Sequence, residues 1–110
     1  MAVAVIVEAL GMSRETYLAW YRQTMAKMAE HGDHGLLFHS SGIKDGVLIA
    51  TDVWESREDF ERFENEVVRP TMQESEAGGP PATVRIVELF DMWAPGASRL
   101  GELAADPSRD

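Results

Sequence analysis

A histidine and a carboxylate facing each other across two strands make an acid–base pair, and the stretch from Leu36 to Trp54 is patterned to produce one. Two largely apolar runs, Leu36 to Ile43 and Val47 to Trp54, flank Lys44-Asp45-Gly46. Asp-Gly between such runs is the strongest short-range hairpin signal, because both turn residues must take positive φ. A two-residue turn pairs Lys44 with Val47. Counting outward, Ile43 opposes Leu48, Ser41 opposes Ala50, and His39 opposes Asp52. Directly opposed side chains hold their Cβ atoms about 5 Å apart, within hydrogen-bond reach. The carboxylate would select the tautomer of His39 and stabilise its protonated form, which equips the ring as a general acid or base. Leu37 and Trp54 flank the pair on the same phase and suggest an apolar wall for an aromatic substrate. A three-residue loop with a bulge would instead set Asp52 opposite Phe38, on the other face. The structural alternative is a pair that merely satisfies itself inside an interface.

Other residue types extend this set. Trp20, Trp54 and Trp93 are either packing anchors or a stacking lining for a flat ligand. Tyr17 and Tyr21, one turn apart on a helix, can add phenol donors to the same pocket or simply pack. Arg85 and Glu8 fall on strands that should be neighbours. They form an ion pair, or Arg85 orients an acidic group of the substrate. His31 and His34 bracket a loop and are expected to be solvated. Together with Asp33 they have poor geometry for zinc, so no metal site is expected. The chain has no phosphate loop, dinucleotide fingerprint or serine nucleophile elbow.

The elements that must position these residues are legible in order. Val3 to Ala9 is a β-branched run ending at Leu10-Gly11. Ser13 is a helix N-cap, with Tyr17, Leu18, Tyr21, Met25 and Met28 forming an apolar stripe that stops at Gly32. The hairpin follows. Ser56 caps a second helix, where Asp59 resembles the partner of a capping box and Phe60, Phe63 and Val67 form the stripe. The carboxylates of that helix interleave with Arg57 and Arg62 as a solvated surface. Pro70 marks its end or a kink, and residues 74–81 form a loop. Thr83 to Trp93 is the last strand, closed by Pro95. The remaining tail, with a weak helical tendency around Leu100 to Ala105, is a mobile segment or an arm laid on a partner.

This order is βαββαβ: an α+β, ferredoxin-like domain over residues 1–94, with a four-stranded antiparallel sheet and two helices on one face, and a tail over 95–110. The first and last strands are apolar on both phases, so the sheet face away from the helices needs cover. An identical chain related by a two-fold axis supplies it, making a homodimer. The alternative is a monomer whose open face is a ligand groove.

Composition narrows the partners. The 110 residues carry a formal charge of −9, which opposes binding to nucleic acid or anionic lipid. Apolar residues make up 45%, enough for a packed core. Cysteine is absent, which removes disulfides and thiolate chemistry and fits a cytoplasmic location. No membrane span or signal peptide is expected.

The hairpin Asp45-Gly46-Val47 leading into Thr51-Asp52-Val53-Trp54-Glu55-Ser56, then Phe60 and Phe63, resembles the dimeric α/β-barrel superfamily, and within it the antibiotic biosynthesis monooxygenases. The resemblance runs from about residue 3 to 93. It implies sheet-to-sheet dimers, a pocket between sheet and helices, and cofactor-free oxygenase or cyclase chemistry on a small aromatic or polyketide-like molecule. A non-catalytic dimer that binds a metabolite or protein is the other implication. The haem-degrading branch uses Asn, Trp and His at positions where this chain has Val7 or Glu8, Phe63 and Gln73, so the resemblance does not extend to the haem-degrading residues. The first strand also lacks the Asn of the monooxygenase pattern.

Overall fold

The computed structural model describes residues 1–32, 34–70 and 82–100. Its elements are β1 (Val3–Leu10), α1 (Arg14–His31), β2 (Leu36–Lys44), β3 (Val47–Trp54), α2 (Arg57–Phe63) and β4 (Ala82–Glu88). A π-helical turn, Glu64–Val68, extends α2, and Ala97–Arg99 forms a short 3-10 turn. The sheet is fully antiparallel in the order β2-β3-β1-β4. This is the ferredoxin-like α+β fold anticipated from the order of elements.

Alternation sorts each strand into two faces. Val3, Val5, Ala9, Leu48 and Trp54 are buried against residues of the helices and the loop before α1: Phe60, Phe63 and Val67 on one side, Met12 and Tyr17 on the other. Both helices therefore cover one face. The opposite face carries Ala4, Ile6, Phe38, Ile49, Val53 and Val87, interrupted by Thr51 and by a 2.9 Å Arg85–Glu8 ion pair.

Local chemistry sets the boundaries. The Ser13 hydroxyl accepts from the Thr16 N–H at 3.1 Å, and Gly32, at φ 87°, closes α1 by donating to the Met28 carbonyl. Ser56 caps α2 through the Asp59 N–H. The Asp59 carboxylate accepts from Arg62 at 2.6 Å. The tight turn has Asp45 at φ 54° and Gly46 at φ 78°, the geometry a two-residue hairpin demands. Gly35 is the other position that requires glycine. Its φ is 86°, and a Cβ there would meet Asp59 Oδ2 at 2.6 Å. Gly35→Ala is expected to destabilise the fold by about 1–3 kcal/mol, measured by urea unfolding. An unchanged midpoint would show that the loop yields freely.

Three expectations are corrected. The last strand stops at Glu88, not Trp93, because a strand extends only as far as its ladder partner. Glu88 lies opposite Val3, and the last bond runs from the Leu89 N–H to the Ala2 carbonyl. Leu37 does not sit in register beside His39: a bulge between Leu36 and Phe38 leaves it out, about half exposed. In α1, Thr24 rather than Met25 is buried, since the face toward the sheet runs through Tyr17, Tyr21, Thr24 and Met28. The loop over 74–81 and most of the helical tendency at 100–105 lie outside the described residues.

Candidate functional site

The hairpin register places His39 opposite Asp52 and Ser41 opposite Ala50. Trp54 and Leu48 share their phase and are buried against the helices, so the pair faces the helix layer rather than the open face. His39 Nδ1 lies 2.5 Å from Asp52 Oδ1. From above, Tyr17 of α1 brings its hydroxyl to 3.3 Å from His39 Nε2 and 2.7 Å from Ser41 Oγ.

These contacts form one chain with a consistent proton order. An ionised carboxylate only accepts, so Nδ1–H donates to Asp52 and Nε2 is left with its lone pair. Tyr17 O–H then donates to Nε2, and Ser41 O–H donates to the Tyr17 oxygen. When His39 takes a proton the chain inverts: Nε2–H donates to Tyr17, and Tyr17 donates to Ser41. The arrangement can thus hold or move a proton between an exposed serine and a histidine backed by a carboxylate. The His39 side chain is 36% exposed and Asp52 18%, so a small molecule can reach the ring while the carboxylate stays shielded.

Tyr17 is buried, and burial pushes its phenol above the usual value. The nearby charges of Tyr21 and Asp52 act in the same direction, while the Ser41 hydrogen bond opposes them. A raised folded-state value means that the native state keeps its proton longer than the unfolded chain. This contribution is complete below the ordinary tyrosine range and is lost as pH rises through the folded value. The expected result is a decline in stability on the alkaline side that Tyr17→Phe flattens, read from melting temperatures between about pH 8 and 11. Parallel curves for the two proteins would assign the decline elsewhere.

The remaining named residues scatter. Trp54 is fully buried, with ring centroids 4.8 Å from Phe63 and 5.9 Å from Phe60. Trp20 and Tyr21 pack against the cluster that holds Tyr17, and the Tyr17 and Tyr21 rings lie 5.9 Å apart. Trp93 lies beyond β4, 88% exposed, and touches no part of the site. Arg85 pairs with Glu8 on the opposite sheet face, so it does not approach His39. His34 departs from the solvated loop residue expected. It is buried at φ 57°, edge-on to Phe63, with Nδ1 3.6 Å from Glu66. Trp54 Nε1, Thr24 Oγ1 and His34 Nε2 are buried without a hydrogen-bond partner among the described residues.

A cleft of about 430 Å³ opens between the end of α1 and α2, lined by His31, His34, Glu55, Asp59, Arg62 and Glu66. A second, of about 270 Å³, lies by Leu10 and Val47. Neither is lined by His39 or Asp52, whose site is an open surface on the edge strand. Among the described residues no cluster of three or more His, Asp or Glu is arranged to hold a metal ion, and no helix is long and apolar enough to cross a membrane.

Ser41 is the member of the site that residue types alone did not single out. Its signal was its phase, two residues from His39 and therefore on the same face.

No protein-family model matches the chain, and no curated protein matches it. Solved structures do. The chain is similar to SnoaB, a cofactor-independent oxygenase from Streptomyces nogalater, at 16% identity and a TM-score of 0.61, covering 83% of this chain and 95% of that one. It is similar to Rv0793 from Mycobacterium tuberculosis at 14% identity and a TM-score of 0.61, over 86% and 100% of the two chains. An antibiotic biosynthesis monooxygenase matches at 14% identity and a TM-score of 0.60, over 81% and 99%. At these identities the likeness is one of fold.

Proposed function

We propose that a chain of this fold, with a carboxylate-backed histidine at the sheet edge, is a homodimeric enzyme that moves a proton on a small aromatic or polyketide-like molecule. The observation that carries this reading is the Asp52–His39–Tyr17–Ser41 hydrogen-bond chain. A carboxylate that orients an imidazole, with the ring reachable from solvent, is an arrangement that suits a general base.

In the oxygenase form the substrate takes the place of the Tyr17 hydroxyl at His39 Nε2, which removes a proton from an activated ring carbon. The resulting enolate gives an electron to dioxygen, the two radicals combine, and loss of water leaves a carbonyl. A methylene and dioxygen become a carbonyl and water, with the substrate supplying all the electrons. In the cyclase form His39 removes the same kind of proton, and the carbanion attacks a carbonyl within the same molecule. The names of the structural neighbours favour the oxygenase form. Both forms begin with one deprotonation, so one experiment tests them together.

Under argon, the protein is incubated in D₂O with a panel of anthrone- and 1,3-dicarbonyl-type compounds, and exchange at the acidic carbon is followed by NMR. Enzyme-accelerated exchange is expected for at least one, with oxygen uptake on admitting air in the oxygenase case. Exchange at the buffer rate across the panel would remove the proton-transfer reading and leave a binding module.

A further inference from the structure

We propose that Ser41 is a nucleophile, and that the hydrogen-bond chain, used from its other end, transfers an acyl group from a neutral aryl ester to Ser41 and on to water. This activity is separate from the carbon deprotonation proposed above and does not rest on it.

The hydrogen-bond chain ends on a second hydroxyl. The Tyr17 oxygen lies 2.7 Å from Ser41 Oγ and 3.3 Å from His39 Nε2, and Nδ1 of the same ring lies 2.5 Å from Asp52 Oδ1. With Asp52 ionised, each donor points away from Ser41: Ser41 O–H to Tyr17, Tyr17 O–H to Nε2, Nδ1–H to the carboxylate. That is the direction in which a base draws a proton from a nucleophile. Tyr17 is buried, and burial holds its phenol protonated. It therefore passes one proton on as it receives another and never stands as a free phenolate. Ser41 is exposed, so its oxygen is the end of the chain that an incoming carbonyl carbon meets.

The edge position of β2 supplies a donor for the oxyanion. Asp45 and Gly46 both have positive φ, so Lys44 and Val47 close a two-residue turn as a hydrogen-bonded pair. Antiparallel pairs alternate outward from there, so Gly42 and Ser40 bond to β3. Ser41, between them, turns its own N–H toward the outer edge. Among the described residues no strand pairs with that edge. A nucleophile's own N–H is one of the donors that stabilise the tetrahedral oxyanion of acyl transfer.

The surroundings suit an apolar ester. Ile43 follows Ser41 on the same phase and is 40% exposed, and Trp20 and Tyr21 pack beside Tyr17. A chain of net charge −9 favours an ester without negative charge.

In the first step the Ser41 oxygen bonds to the carbonyl carbon, its proton passes to Tyr17, and the Tyr17 proton passes to Nε2. The tetrahedral intermediate collapses, the bond to the aryl oxygen breaks, and the proton returns through Tyr17 to the departing phenol. Water then attacks the Ser41 ester by the same route, releasing the acid and restoring the hydroxyl. Ester and water become acid and phenol, with no change of oxidation state.

The probes are an alkyl fluorophosphonate, which phosphonylates activated serines, and p-nitrophenyl acetate. The adduct is located by peptide mapping, and p-nitrophenolate release is followed by absorbance. A single adduct at Ser41 is expected, with adduct and release both lost in Ser41→Ala. Ser40→Ala, altered on the opposite face, should match wild type. His39→Gln and Tyr17→Phe should each slow labelling about 10-fold or more. Tyr17→Phe separates the two activities, because carbon deprotonation keeps its base while acyl transfer loses its path. Labelling on Tyr17 or His39 instead, no labelling of the wild type, or an unchanged rate in Tyr17→Phe would overturn the assignment of Ser41. The position of the adduct is read on the wild type, so that result stands whether or not each variant folds.

Discussion

His39→Ala is expected to lower turnover about 10²- to 10⁴-fold on any substrate the wild type converts, with the fold intact. The side chain is one-third exposed and belongs to neither apolar cluster, so its removal leaves no core cavity. What is lost is the one imidazole of the hydrogen-bond chain, the group that can accept a proton at Nε2 while Nδ1 donates to Asp52. His39→Gln separates chemistry from packing. Its amide can still reach Asp52 or Tyr17 but cannot take a proton, so it should be as slow as alanine. Asp52→Asn should fall between wild type and the His39 variants, because the amide can donate to Nδ1 and favour the tautomer that puts the proton on Nε2. Tyr17→Phe should cost less than His39→Ala, since Nε2 keeps its lone pair and loses only the relay. The loss should fall on kcat more than on KM. Turnover within threefold of wild type for both His39→Ala and His39→Gln would refute the assignment, leaving the pair as an element of sheet structure.

Local rules explain why this much was visible beforehand. The pairing of His39 with Asp52 follows from one dipeptide. Asp45 and Gly46 accept positive φ, the turn takes two residues, and a period of two carries the register outward to residues 39 and 52. The features that were not visible depend on partners distant in sequence. The bulge at Leu36/Phe38 arises where β2 meets the end of β3 at Trp54, so Leu37 left the position counting gave it. The end of β4 is set by where β1 begins, which nothing between Thr83 and Trp93 encodes. His34 looked like a loop residue, and it is the packing of α2, through Phe63, that buries it. Tyr17 was legible as a phenol on the apolar face of a helix. Its contact with His39 depends on how that helix crosses the sheet.

The second large effect concerns Trp54, which residue type alone left open between a packing anchor and a substrate wall. Its geometry favours packing: no exposed surface, two aromatic neighbours from α2, and membership of the larger buried cluster. Trp54→Ala should therefore cost about 3–5 kcal/mol, through lost burial and the cavity left behind. For a domain near 100 residues that corresponds to a fall in melting temperature on the order of 20 °C, and much of a total stability of about 5–15 kcal/mol. Trp54→Phe should cost far less, since it keeps a ring against Phe60 and Phe63 and deletes an indole N–H that has no hydrogen-bond partner among the described residues. Trp93→Ala, exposed beyond β4, should change the unfolding of the single chain by no more than about 0.5 kcal/mol. Chemical denaturation at a concentration that holds each variant monomeric compares the three. A substrate wall predicts the opposite ordering: an unchanged melting temperature for Trp54→Ala and a raised KM. That outcome would move Trp54 out of the core and into the site, and would require the helix layer to open around Asp52 when substrate binds.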